Sequence, residues 1–132
     1  MPKLGHASKY LIPQRVERAD GFGPAVEVGE CGGKLLVVTL GINEVVEQEG
    51  LSIFIWGSSS GTDWGPRPLV VLPQKSYCGV YATFLNLKNN PSVRFLRAEW
   101  KMSSWAHRDS DLLFGFYVSM SDSLSRVQTA VA

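Results

Sequence analysis

The stretch LSIFIWGSSSGTDWGPRPLVVLPQKSYCGVYATF, residues 51–84, decides the fold class. LSIFIWG (51–57) sets Leu51, Ile53 and Ile55 on one side and Ser52, Phe54 and Trp56 on the other. That is the period of two of a strand, whose successive side chains point to opposite faces. SSSGTDWGPRP (58–68) has the composition of a long turn. LVVLP reads as a short strand stopped at Pro73, because proline cannot donate to a ladder. From Tyr77 to Leu87 a further strand sets Val80, Ala82 and Phe84 opposite Tyr81, Thr83 and Leu85. Alternation, aromatic richness and Gly/Ser/Pro punctuation within one short stretch point to an all-β protein.

The same period runs outward in both directions. Upstream, AVEVGE (25–30) alternates and ends in the turn signal Cys31-Gly32-Gly33. KLLVVTLGI (34–42) is a nearly continuous apolar run rich in β-branched residues, which fits a strand covered on both faces. NEVVEQEG (43–50) is acidic and fits either a short strand or a helical turn. Downstream of the turn KNNPS, VRFLRAEWKM (93–102) sets Leu96, Ala98, Trp100 and Met102 on one face and Phe95, Arg97, Glu99 and Lys101 on the other. On that polar face opposite charges can pair across strands. SSWAHRDSD is a polar loop, and LLFGFYVSM (112–120) closes the pattern. Residues 1–24, with three prolines and no sustained period, read as an extended N-terminal arm, and 121–132 as a C-terminal tail. The expectation is one antiparallel β-sandwich domain over 25–120, jelly-roll-like, of about eight strands.

A chain of 132 residues is long enough for one domain with its own core. Charged residues make up 19%, below the ~25% usual for soluble domains. This suits either a surface covered by a neighbouring copy or a polar, uncharged one. The net charge of +1 gives no electrostatic argument for nucleic acid. Lys3, Lys9, Arg15 and Arg18 nevertheless crowd the first 18 residues against Glu17 alone. Such an arm can touch phosphates or an acidic neighbour, or be only a solvated terminus. The first residues lack the apolar core of a secretory signal, and the apolar run 35–42 is far short of a membrane span, which needs ~20 residues. The expected setting is a virion or a cytoplasmic assembly. Cys31 and Cys78 form no disulfide framework and are expected as buried thiols, although one bridge is possible.

No reaction centre stands out. The two histidines, His6 and His107, belong to no H-x-x-x-H or C-x-x-C spacing that would hold a metal. Ser58, Ser59, Ser60, His107, Asp109 and Asp111 supply hydrolase residue types, but their spacing does not support a triad, and they read as turn formers. GECGG (29–33) precedes no helix and is a turn rather than a phosphate loop. No catalytic residue, cofactor or metal is therefore expected. The site candidates are aromatic: Phe54, Trp56, Trp64, Tyr77 and Trp105. Rings on a face or in a loop can stack on sugars or anchor a protein interface. Trp100, on an apolar face, is expected in the core.

The order of features over residues 51–120 resembles small β-sandwich structural proteins of tailed phages and their prophage-like relatives. The strand ending in Ile55-Trp56, the turn SSSGTDW, the strand closing on Pro73-Gln74-Lys75, the RFLRAEWK strand and a final F-x-F-Y-V strand carry the resemblance. This chain departs from the pattern in placing Gly61 before Thr62-Asp63 rather than after the aspartate. The resemblance implies a capsid-like virion component that associates with itself and with other virion proteins, and no catalytic residues. Contacts are expected at the arm, the loop 58–68 with Trp64 and the loop 103–110 with Trp105. The competing expectation is a non-catalytic carbohydrate-binding module that uses the loop tryptophans.

Overall fold

A computed structural model describes residues 9–29, 34–46, 49–104 and 112–122. Nine strands account for most of them: β1 (Lys9–Glu17), β2 (Gly21–Phe22), β3 (Val26–Glu27), β4 (Leu35–Val45), β5 (Glu49–Ser58), β6 (Val70–Lys75), β7 (Gly79–Asn86), β8 (Phe95–Ser104) and β9 (Phe114–Asp122). A 3-10 turn, Leu87–Asn89, follows β7 and is capped by Asn86, whose side chain accepts from the Lys88 amide at 2.9 Å.

The strands form two antiparallel sheets. One has the order β1-β9-β4-β7, and the other β2-β8-β5-β6, with β3 continuing the β2 edge along β8. If β2 and β3 are taken as one interrupted strand, each sheet has four strands. Chain connections then alternate between the sheets everywhere except at the β5–β6 hairpin. This is the winding of a jelly roll, two Greek keys closed into a sandwich.

Alternation builds the core between the sheets. Leu51, Ile53 and Ile55 from β5 face Leu36, Val38 and Leu40 from β4, and all six are buried. Leu96, Ala98 and Trp100 from β8 face Phe114, Phe116 and Val118 from β9. The Trp100 and Phe116 rings meet edge to face across the interior at 5.7 Å, a favoured aromatic geometry. The Trp100 indole N–H donates to the Ala19 carbonyl at 2.7 Å, so its one polar atom is satisfied. The apolar run read as a strand covered on both faces is β4, at the centre of its sheet. Its outward residues Val37 and Thr39 are buried between the flanking strands, and the Tyr117 ring lies across Gly41.

Three expectations are corrected. Residues 9–17 and 21–22 are strands of the sandwich rather than an arm. β1 pairs with β9 from Lys9↔Met120 to Glu17↔Phe114 and buries Leu11 and Ile12 completely. Its two register shifts place apolar side chains side by side instead of alternately, which hid the strand from a search at period two. Pro73 does not end its strand, since β6 runs on to Lys75. This is an edge position, where a missing N–H leaves no ladder bond broken. Cys78 is exposed rather than buried, while Cys31 lies outside the described residues, as do residues 1–8 and 123–132. No helix of the described residues is long and apolar enough to cross a membrane.

Candidate functional site

The surplus aromatics collect on the outer face of the five-stranded sheet. Leu51, Ile53 and Ile55 take the inner side of β5, so Phe54 and Trp56 point outward and are half-buried. The β5–β8 register sets Phe54 opposite Glu99, Trp56 opposite Arg97 and Ser52 opposite Lys101. Cations and rings interleave there. The Arg97 guanidinium lies 4.4 Å from the Phe22 ring centroid and 4.5 Å from that of Trp64, and the Lys101 ammonium 5.0 Å from that of Phe54. Each contact uses the negative face of an aromatic ring. The Trp56 indole N–H donates to Glu99 Oε1 at 3.0 Å.

Trp64 reaches this face because its loop is tightly folded. Ser58 Oγ accepts from the amides of Ser60 and Gly61 at 3.1 and 2.8 Å, and Ser60 Oγ from those of Thr62 and Asp63, both at 3.2 Å. Asp63 Oδ1 accepts from the Gly65 amide at 3.1 Å. These side chains stand in for ladder partners that a turn lacks. Gly61, with φ 86°, occupies the left-handed region that glycine adopts without cost, so the glycine stands where this turn needs it.

Phe54, Trp56 and Trp64 are thus brought together. Tyr77 is not. It sits on the β6–β7 connection, 78% exposed, its carbonyl accepting from the Tyr81 hydroxyl at 2.7 Å. Trp105 lies outside the described residues, together with Lys3, His6 and His107. Lys9 and Arg15 are engaged within the fold: Lys9 Nζ donates to the Glu27 carbonyl at 3.0 Å, and Arg15 pairs with Glu17 at 2.6 Å. Arg18 is exposed. The sequence reading missed Arg97 and Phe22 as members of the cluster. Arg97 looks like one charge of a solvated ladder, and Phe22 falls in the segment read as an arm. The chemistry of this face is packing and cation capture. The Phe22, Trp64 and Phe54 rings each meet a guanidinium or ammonium group, and the carboxylate Glu99 accepts from Trp56.

The outer face of the four-stranded sheet differs. Tyr10 and Tyr117 stack edge to face at 5.9 Å, followed by Thr39 and Ser119 and then the outward side of β7. Val80 (69% exposed), Phe84 (62%) and Tyr10 (52%) stand proud of it. None of these positions carries a charge.

No family model and no curated protein sequence matches the chain. Solved structures do match in fold. The structure of infectious bursal disease virus Gx strain superposes with a TM-score of 0.53 at 8% identity, covering 86% of this chain and 31% of that one. The infectious bursal disease virus VP2 subviral particle gives 0.53 at 10% identity, with the same coverage of 86% and 31%. The K3 cleaved adhesin domain of Lys-gingipain from Porphyromonas gingivalis W83 gives 0.50 at 8% identity, covering 78% and 63%. This chain therefore spans under a third of the viral chains and under two thirds of the adhesin chain. At these identities the likeness is one of fold.

Proposed function

We propose that this chain is a structural, capsid-like subunit, without catalytic activity, that associates with copies of itself and with other virion proteins. The observation that carries the reading is the stretch of the four-stranded sheet's outer face from Tyr10 and Tyr117 through Thr39 and Ser119 to β7, which bears exposed Tyr10, Val80 and Phe84 and no charge at these positions. Exposed apolar side chains gathered on one face mark an interaction surface more often than scattered ones do. The jelly-roll winding supports the reading, as does the likeness in fold to a viral subviral particle. Repeated use of one domain in a closed assembly needs self-complementary or ring-forming contacts, and sheet faces and edges supply them.

A glycan-binding module has less support, because, of the two loop tryptophans that would stack on a sugar, Trp64 already meets Arg97, while Trp105 lies outside the described residues. Size-exclusion chromatography with multi-angle light scattering, followed by negative-stain microscopy, tests the assembly. Discrete oligomers or closed particles are expected as concentration rises. A chain that stays monomeric at high concentration and across salt overturns the proposal.

A further inference from the structure

The sandwich has four sheet edges, and three are guarded. β1 carries Pro13, Arg15 and Glu17 and two register shifts against β9. β2 and β3 are two residues each, separated by Pro24. β6 carries Pro73 and Lys75, and its pairing with β5 shifts between Leu51 and Ile53. Charges, prolines, bulges and shortness are the devices that keep a free edge from pairing with another chain.

β7 has none of them. It is eight residues long, and its register with β4 runs without a shift from Leu35↔Asn86 to Ile42↔Gly79. It contains no proline, and no charged residue occurs from Ser76 to Leu87. Its far side has no strand partner among the described residues. Its outward side chains Val80, Ala82 and Phe84 are exposed, and two of them are the large apolar residues named above.

We infer that β7 is the edge through which two copies of this chain pair, antiparallel, about a two-fold axis at Ala82. The inference rests on the assembly reading and gives it a contact. Two antiparallel strands related by a two-fold axis keep the same face outward, so some residue must stand opposite itself. With Ala82 on the axis, Val80 of each copy faces Phe84 of the other, and Tyr81 faces Thr83. An aromatic ring against a β-branched side chain is a favourable cross-strand pair. Moving the axis to Thr83 sets Val80 against Asn86 and Phe84 against Ala82, and forfeits that pair. An uncharged strand meets an uncharged strand, with no like charges opposed. The result is one continuous sheet in which β4, β9 and β1 of each copy extend to either side of the paired β7 strands. This isologous contact is the commonest kind in homo-oligomers.

Cross-linking reads the register directly. In a Cys78→Ser background, Ala82→Cys is expected to give a disulfide-linked dimer on mild oxidation. Val80→Cys alone is expected to give none, and Val80→Cys with Phe84→Cys to restore the dimer. A second measurement uses charge at exposed positions, with the fold checked by circular dichroism. Val80→Lys/Phe84→Lys and Val80→Glu/Phe84→Glu are each expected to weaken association at least tenfold, and mixing the two to recover it. A chain that assembles normally with the Lys pair, or in which Val80→Cys cross-links to itself and Ala82→Cys does not, overturns this pairing alone. A chain monomeric under all conditions overturns the assembly reading and the pairing together. A two-fold dimer that builds nothing larger overturns the shell and leaves the pairing standing.

Discussion

Gly21 stands directly opposite Trp100 in the β2–β8 pair, and the indole occupies the space a side chain would need. A Cβ there would lie 2.5 Å from the ring. The ring cannot swing aside, because its N–H is bonded to the Ala19 carbonyl and it meets the Phe116 ring edge to face. Gly21→Ala is therefore expected to cost about 1–3 kcal/mol, the range for forcing extra volume into a packed site. Urea denaturation followed by tryptophan fluorescence measures it. Arg97 is the second decisive residue. It ties β8 to β2 through Phe22 and to the hairpin loop through Trp64. Two partly exposed cation–π contacts are worth roughly 1–2 kcal/mol together. Arg97→Ala is expected to lose about that much and to free Trp64, raising its accessibility to acrylamide quenching. Arg97→Lys is expected to recover only part, since an ammonium group lacks the flat guanidinium that lies between two rings.

Among the elements, β4 and β7 pair with each other and yet differ most. β4 lies between β9 and β7 and buries residues 36–42 without interruption, while β7 buries only one side of itself. Leu40→Ala is expected to cost about 2–5 kcal/mol as a cavity in a closed core. Val80→Ala is expected to change monomer stability by no more than about 0.5 kcal/mol. Chemical denaturation of both variants at low protein concentration, where association does not contribute, separates them. The same contrast explains what could be read from the sequence. β4, β5 and β8 were legible because each buries one strict alternation or one unbroken apolar run. The inner set Leu96, Ala98, Trp100 and Met102 was read as it stands, with Met102 only partly buried at the rim. β1 was not legible, since its buried pair Leu11-Ile12 is adjacent in sequence and is followed by Pro13 and Gln14. The aromatic cluster was half legible. Surplus rings on an apolar strand stand out, but the cation that gathers them belongs to another strand and looks like ordinary surface charge.

For the whole molecule, β1 changes what a terminal truncation does. A deletion confined to residues 1–8 leaves every strand of the described residues in place and is expected to keep the fold. A deletion through residue 18 removes β1, uncovers one edge of β9 and takes Leu11 and Ile12 out of the core. That variant is expected to lose its cooperative unfolding transition. Circular dichroism with thermal melts distinguishes the two outcomes. Only the shorter deletion tests whether the leading residues contribute to assembly, because the longer one alters the sandwich itself.

The place of β9 in its sheet also sets the order of events in time. β9 lies between β1 and β4, so both wait for residues 114–122 before they find this neighbour. Lys9 meets Met120 across more than a hundred intervening residues. Contacts of such sequence separation bear the entropy of closing a long loop before any pairing repays it, and sandwiches built from them fold in milliseconds to seconds. Until residues 114–122 have been made, β4 has only β7 to pair with in this sheet and β1 has no strand to join. The hazard of wrong pairing is greatest then, and it ends when the last described strand slides between the two that have waited for it.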